Sequence, residues 1–384
     1  SKLALITTVK DGILKHRLIL DCRVSGTNDH ATKVERVILP SAWDVVHDSL
    51  MMKGKQRPGD VFKLFVCDFR DAFFKLPLMD LEREFYVIKY GNKWYLCNRL
   101  VQGSVNGPSC FGRLSAMTAR MSQSLFDTTE LRLQIYVDDP CSVMRGTPER
   151  CDRMAAILVL FWLVLGWDLS YHKAQLGYSV DWVGYTITIC EDKVLAQIKE
   201  SFMSDLKQLT VDVLKRPRIT MDELRSYAGK ANHVASLVYY WRPFLDQVWA
   251  ALSGSRSSNA PEGYVWVKQV SSSLSWILAF LNKEDGALRR EWRYDYYSNR
   301  GVKVVIYLDA SPFGLGGMLE EDGEITSWFW TALSNHDTMI HKFKIGDHKG
   351  QQVWESLVAL VAVRLWAPRW TGRQTTITMK GDNM

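Results

Sequence analysis

The stretch LRLQIYVDDP, residues 131–140, decides how this chain is read. Residues 131–137 have the composition of a strand, and the strand runs into Asp138-Asp139. Neighbouring residues within a regular strand point to opposite faces. Two adjacent carboxylates therefore serve one site only at a turn. Pro140 follows at once and resists continuing a paired strand, which predicts that turn.

A second hydrophobic strand, VFKLFVC at 61–67, ends at Asp68. Three carboxylates brought together repel and raise one another's pKa. Hard divalent ions with oxygen ligands neutralise such a set, and Mg²⁺ needs only one or two carboxylates plus substrate phosphates. Two such ions about 3.5–4 Å apart clamp the attacking and leaving oxygens of a phosphoryl transfer. Taken singly, Asp68 or an Asp-Asp pair is an ordinary turn or cap residue. The surrounding sequence has to decide.

Outward from these strands the order of elements is mixed. Residues 1–25 read as two strands around Asp11-Gly12. Residues 85–90 and 93–100 read as a hairpin about Gly91-Asn92. A helix is predicted at 107–123 after Pro108, another at 148–165, and a strand at 182–189. This pattern is α+β with a mainly antiparallel sheet. From about 197 the character is helical, with Phe202, Leu206, Leu209 and Val213 at helical spacing. Pro217 breaks that helix, and Thr220 with Glu223 forms a capping box for the next. Residues 253–263 have linker composition, and a short helical connector follows. A fresh β pattern starts at 302 and continues into 325–330; 351–366 is helical and 374–380 a strand.

Composition narrows the class. The chain has 384 residues, 47% hydrophobic and 23% charged, which excludes disorder of the whole. The net charge of +6 is a mild basic surplus, compatible with a polyanionic partner. Seven cysteines without a CxxC pair, among them Cys67, Cys97 and Cys110 in apolar stretches, read as buried reduced thiols of an intracellular protein, cytoplasmic or nuclear. No signal peptide is visible. The most apolar run, 155–167, is shorter than the roughly 18 residues a membrane span needs and reads as a buried helix, so no membrane partner is expected. Both ends look cut, as in a fragment.

The run FVCDFRDAFFKLPL, then LVQGSVNGPSCF, then QIYVDD resembles the polymerase motifs of retroelement reverse transcriptases. KDGILKHRLILDCRVSGTN resembles the fingers segment that begins such domains, and LGWDLSYHKAQLG with WVGYTITI resembles the motifs that close the palm. The resemblance covers most of 1–190. It implies a right-hand polymerase, with fingers and palm at 1–195, a helical thumb at 196–252 and a linker or connection at 253–300. The implied activity is RNA- and DNA-directed DNA polymerisation with Mg²⁺ (Mn²⁺ as an alternative), acting on dNTPs and an RNA/DNA template–primer; it does not give the oligomeric state. It also implies residue roles. Asp68 and Asp138 become the principal metal ligands and Asp139 completes the triad. Lys10 and Arg17 face the incoming triphosphate. Phe73 lies under the nucleotide sugar and excludes a 2′-hydroxyl by clash. Gln102 and Gly103 line the nucleotide pocket, Tyr136 sits near the primer end, and Lys173 serves as a general acid on pyrophosphate. Pro140 departs from the family's usual aliphatic residue. In the thumb segment, Arg225, Lys230 and His233 near Gly229 are expected to meet phosphates.

A second acidic set follows. YLDASPFGLGGML places Asp309 at a strand end, WESLVALVAVRLW places Glu355 on a helix, and ITMKGDN places Asp382 at another strand end. This order resembles the RNase H fold, with these three as metal ligands of a partial α/β domain at 301–384. The family's fourth ligand and mobile histidine lie further downstream, so RNase H activity is not expected of this chain alone. Position after a thumb points to a long-terminal-repeat or tyrosine-recombinase element. Two other classes fit parts of the sequence. A catalytically decayed scaffold would keep the fold, but the clustered charge is costly without metal. An RNA-dependent RNA polymerase shares the palm, and Phe73 and the trailing motifs speak against it.

Overall fold

Two long strands joined by a two-residue connection open the chain in the computed structural model, which describes residues 2–10, 13–32, 37–254, 260–283, 288–297 and 301–381. Strands β1 (Lys2–Lys10) and β2 (Ile13–Asp21) pair antiparallel from Lys10↔Ile13 to Lys2↔Asp21. The predicted turn residues Asp11 and Gly12 lie outside the described residues. Helix α1 (Ala42–Lys53), begun by a Ser41–Asp44 capping box, was not expected from the sequence.

Strand β3 (Val61–Val66), a four-residue helix α2 (Asp80–Arg83) and the hairpin β4 (Val87–Tyr90) and β5 (Lys93–Leu96) come next. Helix α3 (Gly107–Gln123) leads to β6 (Leu131–Tyr136) and β7 (Asp139–Gly146). Helix α4 (Pro148–Val164) has Pro148 in its first turn and Thr147 accepting from the Arg150 N–H, the reasons it starts there. It contains most of the 155–167 run and buries Met154, Leu158 and Trp162. No described helix is long and apolar enough to cross a membrane.

Strands β8 (Gln175–Gly177), β9 (Ser179–Trp182), β10 (Tyr185–Ile189) and β11 (Lys193–Ile198) follow. The single strand expected at 182–189 is thus a hairpin. Val183 (φ 49°) and Gly184 (φ 81°) make a tight turn with both residues left-handed, hidden in a continuous run of strand-forming residues. A Cβ on Gly184 would stand 2.8 Å from His233 Nε2.

Helices α5 (Glu200–Leu214), α6 (Met221–Leu237) and α7 (Arg242–Ser253) occupy the predicted helical region, with β12 (Arg218–Thr220) between the first two. The Thr220–Glu223 capping box is formed on both sides. The segment read as linker or connection holds β13 (Tyr264–Trp266), α8 (Ser271–Leu281) and β14 (Arg289–Arg293).

Residues Ser1–Trp292 form one compact unit and Arg293–Met384 another. In the first, a four-stranded sheet of order β6-β7-β3-β8 carries the main core. Phe65, Phe69, Leu131, Leu133 and Met144 pack there against Met154, Leu158, Trp162 and Trp167. Trp162 is fully buried, stacked on Phe65 and edge-on to Phe69, and its indole N–H donates to Ser122 at 2.9 Å. Burial of such rings supplies most of the drive for this layer, about 25 cal/mol per Å² of apolar surface.

The second unit has β15 (Val302–Ser311), β16 (Gly314–Glu321), β17 (Glu324–Ala332), α9 (Asn335–His341), α10 (Gln351–Trp370) and β18 (Thr375–Lys380). Its sheet order is β17-β16-β15-β18, with β18 parallel to β15 and the rest antiparallel. Val304, Ile306, Leu308 and Ala310 face Trp354, Val358, Ala362 and Trp366 of α10.

Candidate active site

The closing pair of the β6–β7 hairpin is Tyr136↔Asp139, which leaves Val137 and Asp138 as a two-residue loop. Val137 has φ 56°. The same place in the β4–β5 loop is held by Gly91 at φ 59°, the residue such a loop prefers. A β-branched residue at positive φ is strained by about 1–3 kcal/mol, and such strain gathers at functional sites.

Three bonds from neighbouring segments hold this turn. The Phe69 N–H donates to the Asp138 carbonyl at 2.9 Å, the Trp182 indole N–H to the Asp139 carbonyl at 2.9 Å, and the Cys67 N–H to the Pro140 carbonyl at 3.2 Å. Pro140 cannot return a bond to Cys67, so the ladder of a central strand loses one rung beside the turn. That is the structural consequence of the proline.

Antiparallel pairing of β3 with β7 brings the end of β3 beside the start of β7, and so Asp68 beside the turn. The Asp68 carboxylate accepts from the Ser170 hydroxyl at 2.6 Å and from the Lys173 ammonium at 2.6 Å. Its backbone carbonyl accepts from the Ser170 N–H at 2.9 Å. The Asp68 and Asp139 carboxyls are neighbours, and each acts on the other's pKa. Burial works to raise the Asp68 pKa, but Lys173 and Ser170 together hold it below the ordinary carboxylate value. Asp139 goes the other way, pushed up to about 7 by burial first and then by the charges of Asp138 and Asp68.

Asp68 and Asp139 are thus brought together with Asp138 adjoining. Among the described residues, no three His, Cys, Asp or Glu side chains are preassembled around a metal position. Like charges account for this arrangement: one carboxylate takes an ammonium and its neighbour holds a proton. The donors are hard oxygens at one end of a rigid sheet, which suits a hard divalent cation.

Around this centre, Phe73 lies on a short 3-10 turn that follows Asp71 at φ 53°. Its ring stacks on Phe111 of α3 with centroids 5.0 Å apart, while Phe74 is exposed. The Gln102 carbonyl accepts from the Leu20 N–H at 2.9 Å. Gly103 has φ 118°, and a Cβ there would stand 2.0 Å from the Leu20 carbonyl oxygen, so only glycine fits. Asn28 bridges this segment, donating to the Gly103 carbonyl and accepting from the Val105 N–H, both at 3.0 Å. Tyr136 is half-buried and edge-on to Trp182 at 6.4 Å. Lys10 and Arg17 stand in β1 and β2, and their side chains lie outside the described residues.

Sequence reading assigned no role to Ser170, Trp182 or Asn28. Each is a polar anchor whose partner is remote in sequence, and only Ser170, three residues before Lys173, had a local pointer. Cys67 is buried as expected, but Cys110 is exposed.

On α6, His233 does not face outward. Its ring contacts the Tyr185 hydroxyl at 3.1 Å and Phe202 edge-on at 5.3 Å, and burial lowers its pKa. Arg225 pairs with Asp222 at 3.0 Å, and Gly229 has open space around it.

In the second unit, Asp309 is exposed on β15 between the buried Leu308 and Ala310, so it stands on the sheet face away from α10. Glu355 is buried on α10 and accepts from Gln351 at 2.7 Å, which also donates to the Ala310 carbonyl. Asp382 lies outside the described residues.

No protein-family model and no curated protein sequence matches the chain. Solved structures do. The chain is similar to a foamy viral protease-reverse transcriptase in complex with RNA/DNA hybrid, at 16% identity and TM-score 0.51, covering 98% of this chain and 44% of that one. It is similar to the dRH form in complex with double-stranded DNA, at 16% and 0.52, covering 99% and 65%. A third, also with double-stranded DNA, gives 18% and 0.50 over 98% and 68%. The chain spans about half to two-thirds of the length of these structures. Likeness at this identity shows the fold, and the fold is reverse-transcriptase-like.

Proposed function

We propose that this chain is a nucleotidyltransferase that copies RNA and DNA templates into DNA, with Asp68, Asp138 and Asp139 as its metal-holding carboxylates. The observation that supports this most is the placing of Asp68 beside the strained Val137 turn that carries Asp138 and Asp139. Half-buried like charges and backbone strain are both costly, and their coincidence at one sheet end supports a functional site there. The similar structures hold RNA/DNA hybrid or double-stranded DNA, which supports a nucleic-acid partner.

Two divalent ions, Mg²⁺ or Mn²⁺, supply the charge neutralisation that phosphoryl transfer needs when bound. The chain's own residues do the positioning. Asp68 and Asp139 present oxygens from two adjacent strands, and Trp182 and Phe69 fix the turn that carries Asp138. Lys173, once released from Asp68, is the proton donor toward pyrophosphate. Lys10 and Arg17 are the triphosphate cations. Phe73, backed by Phe111, is the wall beneath the sugar that selects dNTPs. In this reading the sheets of the first unit are fingers and palm and α5–α7 the thumb, as in a retroelement enzyme. For the second unit, strand–helix–strand order supports an RNase H-like domain, but Asp309 stands on the sheet face away from α10 and Glu355 is buried on that helix, so the two do not form the shared acidic set expected from the sequence.

Primer extension tests the proposal. With Mg²⁺, dNTPs and an RNA template, the parent protein extends a DNA primer and Asp138→Asn does not. Equal absence of extension in both leaves a polymerase fold without polymerase chemistry.

A further inference from the structure

The hairpin β4–β5 is rooted by Ile88 and Cys97, which pack against Leu20, Cys22 and Val101, and its outer part stands in solvent. Every residue of β5 is exposed, as are Lys89 and Tyr90 of β4. Tyr90 is 73% exposed and Trp94 69%. Solvent normally selects against such rings on a two-stranded ribbon. The ribbon from 86 to 99 carries Lys89, Lys93 and Arg99 and no acidic residue.

Register gives the ribbon a pattern. Lys89 stands across from Trp94, and Tyr90 across from Lys93. Successive pairs alternate faces, so Lys89 and Trp94 share one face and Tyr90, Lys93 and Tyr95 share the other. The Lys89 ammonium lies 5.3 Å from the Trp94 ring centre. The turn is tight, with Gly91 at φ 59°.

Its root lies in the segment that builds the candidate nucleotide pocket. The Cys97 N–H donates to the Tyr86 carbonyl, and the Leu78 N–H to the Asn98 carbonyl. Tyr86 hydrogen-bonds Ser104 at 2.9 Å, next to Gly103.

We infer that the β4–β5 ribbon is a stacking platform for single-stranded nucleic acid, the unpaired template ahead of the nucleotide site. The inference rests on the polymerase reading. Rings on which bases stack, interleaved with cations that follow the backbone, recognise single strands without regard to sequence. The ribbon's own cations favour a polyanion over an apolar protein partner, while the exposed Asp80, Glu82 and Glu84 confine that charge to the ribbon beyond its root.

Anisotropy titration of the full chain tests this with one duplex template–primer, blunt or with a template overhang of about ten nucleotides. The parent is expected to prefer the overhung form. Removing the rings of the face the strand follows, by Trp94→Ala on one side or by Tyr90→Ala with Tyr95→Ala on the other, lowers that preference by about 5- to 150-fold per stacked base and leaves blunt binding unchanged. Trp94→Phe keeps it. The double change Lys89→Ala and Lys93→Ala lowers the salt slope for the overhung form by about 1.4. Unchanged preference in the ring variants, while primers are still extended, removes the platform and leaves the polymerase. A change in self-association alone assigns the ribbon to a second copy and overturns the inference. A parent that binds neither substrate overturns both readings.

Discussion

The carboxyl groups of Asp68 and Asp139 are neighbours that act on each other's charge, although burial and a shared sign of charge oppose it. Asp68 is held ionised by Lys173 and Ser170, and Asp139 is held protonated up to about pH 7. The two shifts run in opposite senses and give opposite pH dependences.

Asp139 has a folded pKa above its ordinary value of 3.8. Its contribution to stability is complete below that value and is lost as pH rises toward about 7. Asp68, with its folded pKa depressed, contributes above its ordinary value and loses that contribution in acid. Urea midpoints of the metal-free protein are expected to fall as pH rises from about 5 to about 7 and then level. Asp139→Asn flattens that fall. Added Mg²⁺ stabilises more at the alkaline end, because the ion competes with the Asp139 proton.

Trp182 is a positioning residue. Its indole N–H reaches the Asp139 carbonyl and its ring braces Tyr136. Trp182→Phe removes a donor worth about 1 kcal/mol, so kcat is expected to fall about fivefold with KM for dNTP little changed. A parallel rise in KM would point to general loosening of the pocket instead.

Val137 stores strain at the turn. Val137→Gly is expected to raise stability by up to about 1–3 kcal/mol, less the entropy glycine adds to the unfolded chain, and to slow nucleotide addition. Thermal melts and single-turnover rates on the same preparation check both halves. A variant less stable than the parent removes the strain argument.

Phe73→Ala opens the floor beneath the sugar and removes a ring stacked on Phe111. Incorporation of rNTP relative to dNTP is expected to rise by at least about tenfold, the scale of one well-placed clash. Stability is expected to drop by about 2–3 kcal/mol, below the usual Phe-to-Ala range because the ring is only partly buried. An unchanged sugar preference would return Phe73 to a purely structural part.

Much of the sheet that carries the candidate site was legible because its signals are local. Residues 131–140 announce a strand and a turn, but the turn falls at Val137-Asp138, one residue earlier than expected, and Pro140 lies inside the paired strand β7 instead of stopping it; Gly91-Asn92 announces the ribbon. Helix α1 was illegible because its inner face mixes Val45, Val46 and Met52 with Ser49 and Asp48. Asp48 is buried against Arg132 and Gln134, partners that only the fold supplies. The Val183-Gly184 turn hid among strand formers, and His233 looked like a surface cation until β10 closed over it. Roles that depend on distant partners, as for Ser170, Trp182 and Asn28, are set by register and could not be read from neighbours. The cost of Pro140 likewise becomes visible only when Cys67 is seen across from it.

Single-turnover addition of one dNTP, by Asp68→Asn, by Asp138→Asn and by the double variant, goes furthest toward the centre of the account. Carboxylates that work as one unit give non-additive losses. Each single change is expected to lower the rate by about a thousandfold or more, with the double variant no worse than either. Losses that multiply, or a single variant that keeps the parental rate, would show that these residues do not form one site.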